Sequence, residues 1–276
     1  MPRSSPARSP SASARCPSRP ERLFTPEERE RLRQELIETA RADPRISGVA
    51  LTGSAAGGRE DRWSDIDLAF GVSEEAGVQA TMADWSQRMY DRHRCLHHLD
   101  VPVGDTIYRV FFLASTLQVD LAFSPEREFG ARAPTFKLLS GRSVERPKAV
   151  PPDAETLVGL GWLYAIHARS SIARGRWWQA EYMIHTVRDK VLALACLRSG
   201  LPAVEGRGFD RLPPEVLDPL RAALVEGPEP GALVRALAAV LHGLTAEICG
   251  FDERLGARLR PALEELAATG DGDEGG

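Results

Sequence analysis

The sequence predicts an α+β protein: a small mixed sheet with flanking helices, followed by an all-helical bundle. Three observations carry this reading. Four short β-like segments fall in the first half, at 48–52, 65–70, 106–113 and 117–123. Beyond residue 153 every segment has helical spacing. Between the halves, 141–152 is polar and proline-bearing, which suits a linker. The organisation expected is therefore a disordered tail at 1–22, a sheet domain at 23–140, a linker at 141–152, a helical domain at 153–268 and a disordered tail at 269–276.

Composition bounds the function. A chain of 276 residues holds one large domain or two small ones. Its net charge of −4 lacks the positive excess of proteins that neutralise nucleic-acid phosphates, so no nucleic-acid partner is expected. No unbroken apolar run approaches the ~18 residues of a spanning helix, and no membrane partner is expected. The longest such stretches, 157–166 and 191–197, read as buried helix. All but three of the 35 cationic residues are arginine. The four cysteines, Cys16, Cys95, Cys196 and Cys249, form no C-x-x-C pair. A reduced, cytoplasmic protein is the simplest reading.

The elements follow in order. Residues 1–20 hold Arg, Ser, Pro and Ala with no acid, and five prolines rule out an amphipathic targeting helix. Thr25-Pro26-Glu27-Glu28 is a capping-box start for a helix to about Arg41, with Leu32, Leu36 and Ile37 as its apolar stripe. A second helix is expected at 74–93, with Val78, Met82, Trp85 and Met89 facing the core. The stretch 97–101 reads as an extra strand near the active edge; Asp100 there is a turn residue or, less favoured, a fourth acid. The spacing of His93, His97 and His98 does not suit a zinc site. Helices are expected at 153–174, 177–198, 214–226, 231–249 and 252–267.

The chemistry concentrates between Val49 and Phe70. An apolar strand runs into Gly53-Ser54, a glycine-bearing loop follows, and a second strand opens with Asp65-Ile66-Asp67-Leu68. Alternate side chains in a strand share a face, so Asp65 and Asp67 project together while Ile66 and Leu68 point to the core. Two such carboxylates repel, and a divalent cation compensates; hard oxygen donors select Mg²⁺ or Mn²⁺. In Leu117–Phe123 the same alternation puts Gln118, Asp120 and Ala122 on one face. If that strand lies beside the first, Asp120 completes a triad able to hold two cations for in-line displacement at phosphorus. Gly53 and Ser54 suit close backbone approach to a phosphate. Arg59, Glu60, Asp61 and Arg62 read as a solvated charge run.

An apolar strand, Gly-Ser, ten intervening residues, Asp-apolar-Asp-apolar and a later strand Asp together resemble the polymerase-β-type nucleotidyltransferase signature, over 46–123. The small catalytic domain followed by a helical domain resembles the aminoglycoside and lincosamide branch. The resemblance implies metal binding by Asp65, Asp67 and Asp120, a metal or base role for Asp120, and Gly53 and Ser54 at the triphosphate. It implies a nucleoside triphosphate co-substrate, ATP by default, and a small-molecule hydroxyl acceptor such as an antibiotic. The family often completes the acceptor site with a helical domain, which leaves a homodimer open.

In the helical half, Glu181, His185 and Arg188 share a helical face. Pointed at the cleft, Arg188 or Lys190 meets the triphosphate and Glu181 the acceptor, with Trp178 and Tyr182 stacking on a ring. Otherwise the face is a surface Glu–His–Arg ladder and the aromatics are buried. Two further functions compete: modification of a protein hydroxyl, and a helical-domain ribonuclease or non-catalytic binding module. Arg235 and His242 fit a loose nuclease pattern, although Ala236 stands where such enzymes carry a polar residue.

Overall fold

The first helix shows how local chemistry sets an element. The Thr25 hydroxyl accepts from the Glu28 N–H at 3.2 Å, and the Glu28 carboxylate accepts from the Thr25 N–H at 2.8 Å. This reciprocal cap opens α1, Pro26–Ala42, which buries Leu36, Ile37 and Ala40. The computed structural model describes residues 23–132, 135–147 and 150–268. The tails expected at 1–22 and 269–276 lie outside the described residues.

The chain divides between Ala149 and Val150 into two units. In the first, α1 is followed by β1 (Ile46–Thr52), a single helical turn α2 (Gly53–Ala56), β2 (Ile66–Val72), α3 (Val78–His93), β3 (Cys95–Val103), β4 (Thr106–Leu113), β5 (Gln118–Pro125) and β6 (Phe136–Gly141). The sheet order is β3-β4-β5-β2-β1-β6. All neighbours are antiparallel except β2 and β5, which run parallel. The mixed sheet predicted from sequence is thus present: β3 covers the extra strand expected at 97–101, and β6 is the one strand not expected. The helix expected from residue 74 begins only at Val78, because Gly77 takes a positive φ of 74° in the preceding turn.

One sheet face is packed by α1 and α3. Leu36, Ile37, Met82, Trp85 and Met89 meet Ile66, Leu68, Phe70, Val119, Leu121 and Phe123 in one core cluster. The opposite face carries small residues. Ala50, Ala69 and Ala122 form a row across β1, β2 and β5, partnered in register. Phe129 lies on this face over paired Gly48 and Gly71, where a Cβ would sit 2.4 Å and 2.9 Å from its ring.

The second unit is helical: α4 (Ala154–Ala173), α5 (Trp177–Arg198), α6 (Pro214–Leu220), α7 (Pro230–Phe251) and α8 (Glu253–Ala267). Ala165, Ala168, Ala180, Ile184, Val187, Leu237 and Leu244 share its core. The helix expected at 214–226 is shorter: α6 ends at Leu220 and continues as one 3-10 turn to Ala223, and Pro230 opens the next helix. Run length also understated α7. Among the described residues it is the one helix long and apolar enough to cross a membrane by length and composition, and half of its apolar window is buried inside the protein. It also buries Glu247, which accepts two bonds from Arg198 at 3.0 and 2.8 Å.

Candidate active site

The site forms where β1 and β2 meet at one end of the sheet. At the end of β1 the backbone bends at Gly53, which takes a φ of +59°. A Cβ there would fall 1.8 Å from Asp67 Oδ2. Glycine is required because the Asp67 carboxylate lies directly against its Cα. Gly53 opens α2, whose N-terminus has no side-chain cap, and Ser54 follows it. The loop after α2 is held from α1. Arg29 Nη1 donates to the carbonyls of Asp61 (2.7 Å) and Ser64 (2.9 Å), and Arg33 Nη1 donates to Glu60 at 2.5 Å. Both arginines are buried. Glu60 therefore anchors this loop and is no part of a solvated charge run, although Arg59, Asp61 and Arg62 are exposed.

Parallel pairing of β2 with β5 sets Asp67 directly beside Asp120 in register. Ile66, Leu68, Val119 and Leu121 are buried on the other face, as alternation requires. Asp65 precedes β2 and joins them: carboxylate oxygens of Asp65, Asp67 and Asp120 lie within 4.8 Å of one another, each side chain half-buried. Gln118 Nε2 donates to Asp120 Oδ1 at 3.0 Å and reaches Asp65 Oδ2 at 3.4 Å. Burial pushes the Asp120 carboxyl up to about 6; the Gln118 bond opposes this and the Asp65 charge adds to it.

The donor set fits a hard divalent cation. Among the described residues the only recorded donor to Asp65 and Asp120 is a neutral amide, and neither makes an ion pair. Three carboxylates gathered this way concentrate negative charge that Mg²⁺ or Mn²⁺ would offset with oxygen-only ligands.

Other expected site residues lie on α5 of the helical unit. Trp178 and Tyr182 are exposed, where burial was the commoner expectation. Arg188 hydrogen-bonds His185 Nδ1, and His185 Nε2 lies 3.3 Å from Asp189. The ladder thus runs through His185, Arg188 and Asp189 rather than Glu181. Glu181 and Lys190 are half-buried on the same helix. Asp100 is neither a turn residue nor a fourth acid: it sits within β3 and takes two bonds of 2.6 Å from Arg109. Arg109 also donates to Ser86 of α3, which puts the pair on the core side of the sheet. Gln118 was missed as a site residue, although its alternation with Asp120 had already put it on the carboxylate face. The Arg29 and Arg33 anchors carried only an i, i+4 spacing as their signal. Ala236, where the nuclease pattern calls for a polar residue, is buried in the helical core, while Arg235 and His242 are exposed.

No family model and no curated protein matches this chain. Solved structures do. An aminoglycoside 6-adenyltransferase from Bacillus subtilis is 13% identical, covering 89% of this chain and 100% of its own, with a TM-score of 0.40. A nucleotidyltransferase-like protein from Exiguobacterium sibiricum is 15% identical, covering 84% of this chain and 80% of its own, with a TM-score of 0.34.

Proposed function

We propose that this chain is a nucleotidyltransferase: it transfers a nucleoside monophosphate from a nucleoside triphosphate to a hydroxyl of a small molecule and releases pyrophosphate. The observation that carries the reading is the convergence of Asp65, Asp67 and Asp120 within 4.8 Å beside the Gly53 bend. Asp65, Asp67 and Asp120 would hold Mg²⁺ or Mn²⁺. A bound cation would supply charge neutralisation at the α-phosphate and lower the pKa of an attacking hydroxyl. The uncapped N–H groups of α2 and the Ser54 hydroxyl donate to triphosphate oxygens. The acceptor oxygen attacks the α-phosphorus in line, the bond to the bridging β-phosphate oxygen breaks, and pyrophosphate leaves. Asp120 takes the hydroxyl proton, a role suited to a carboxyl near pH 6. Gln118 holds Asp65 and Asp120 in position. On α5 of the second unit, Trp178 and Tyr182 present exposed rings of the kind that stack on a ring substrate. ATP is the default donor, and the reduced cytoplasm the expected setting.

The test is Mg²⁺-dependent pyrophosphate release with each nucleotide across hydroxylated antibiotics. Asp65→Asn is expected to lower release by at least 10²-fold, whereas Arg235→Ala leaves it unchanged. Intact RNA cleavage by Asp65→Asn would favour the nuclease. A nucleotide-sized mass adduct on a protein, with none on any small molecule, would redirect the acceptor assignment.

A further inference from the structure

Along β2 and β5, past the carboxylates, the same sheet face opens into a cavity of about 120 Å³. Its floor includes Ala69 and Ala122, which follow Asp67 and Asp120 by two residues on the same strands. Two strand residues span about 7 Å. Tyr108 pairs with Ala122 and walls one side. Thr106 and Ser124, both buried, share one hydrogen bond of 2.9 Å between their hydroxyls. Two hydroxyls carry two hydrogens, so one hydrogen stays available to a guest, along with lone pairs on both oxygens. The Tyr108 hydroxyl has no hydrogen-bond partner among the described residues. Next to this wall, β3 adds an apolar flank: Val101 pairs with Tyr108 and Leu99 with Val110, and both Val101 and Leu99 are exposed.

Charge narrows the guest. Among the described residues lining the cavity, the single carboxylate is Glu128. It already faces Arg146 at 3.0 Å and Arg132 at 3.5 Å. No unpaired anion remains inside for an ammonium group, and burying one there without a partner is costly. Hydroxyls and small apolar surface instead match a neutral ring bearing hydroxyl groups.

We infer that this cavity is the acceptor subsite and takes a neutral, hydroxylated ring of sugar size, not a polycationic one. The inference rests on the nucleotidyl-transfer reading of the adjacent carboxylates. A six-membered ring lying on Ala69 and Ala122 directs a ring hydroxyl along the strands, within hydrogen-bond reach of Asp120. The three carboxylates attract a cationic molecule on approach, but the cavity decides what seats.

The experiment uses the full chain with ATP and Mg²⁺ and two probe sets: neutral glycosides, beginning with methyl β-glucopyranoside, and kanamycin, whose amines are protonated at pH 7. Pyrophosphate release is expected with neutral glycosides. Ala122→Leu, which fills the cavity, should raise their KM at least tenfold while Mn²⁺–ATP affinity is unchanged. Tyr108→Phe removes one oxygen and little packing, and should raise KM in the same direction even if Ala122→Leu does not fold. Turnover of kanamycin alone, or of neutral glycosides with KM unaffected by either variant, overturns the proposal. If neither set is turned over while wild type binds Mn²⁺–ATP and Asp65→Asn does not, the acceptor proposal falls and the transfer site stands. If wild type fails to bind Mn²⁺–ATP, the transfer reading falls first.

Discussion

Burial holds the Asp120 carboxyl at about 6, well above the ordinary range. In the unfolded chain it ionises near pH ~4. Across that window the folded state binds the extra proton, so stability rises as pH falls from 6 toward 4. Above pH 6 the ionised form costs the fold on the order of 3 kcal/mol at most, less to the extent that the side chain meets water. Asp120→Asn removes the cost. Melted in chelator at pH 7.5, this variant should be more stable than wild type by roughly 2–8 °C. The gain should shrink by pH 4.5, and pyrophosphate release should be lost throughout. A melting temperature at or below wild type at pH 7.5 would contradict this account. Such opposition between stability and function is common where a site gathers like charges.

At the level of elements, the loop between α2 and β2 takes its position from α1. Arg29 satisfies the Asp61 and Ser64 carbonyls, just before Asp65. Arg29→Met leaves both without this donor, at about 1–3 kcal/mol for each one that stays buried. Amide hydrogen exchange over 59–65 should rise, and Mn²⁺ affinity should fall about tenfold, through the loop carbonyls that Arg29 holds. Exchange that matches wild type would show that the loop holds itself. This dependence was hidden in the sequence, where Arg29 and Arg33 look like ordinary surface helix residues. What alternation could reveal, it did: Ile66 and Leu68 inward, Asp65 and Asp67 together, Gln118 beside Asp120. Alternation assigns faces, not neighbours, so the parallel pairing of β2 with β5 stayed conditional until the register was seen. β6 went unread because its apolar residues, Phe136, Leu138 and Leu139, break the two-residue repeat. The cavity over the alanines was equally silent, since small side chains announce no contact of their own.

Across the whole molecule, each unit carries its own apolar core, and the acids lie wholly within the first. A cation that binds only the folded triad stabilises that unit by mass action, about 2.7 kcal/mol at a hundredfold excess over its Kd. Mn²⁺ should therefore raise the melting temperature of wild type by several degrees and leave Asp65→Asn unmoved; an equal rise in both would mean that the ion binds elsewhere. The parallel ladder also orders events during synthesis. Asp67 and Asp120 belong to strands separated by α3, β3 and β4, and become neighbours only when β5 docks against β2. A nascent chain still lacking β5 on the ribosome carries two of the three acids, so the triad is complete only in chains whose fifth strand has been made and docked.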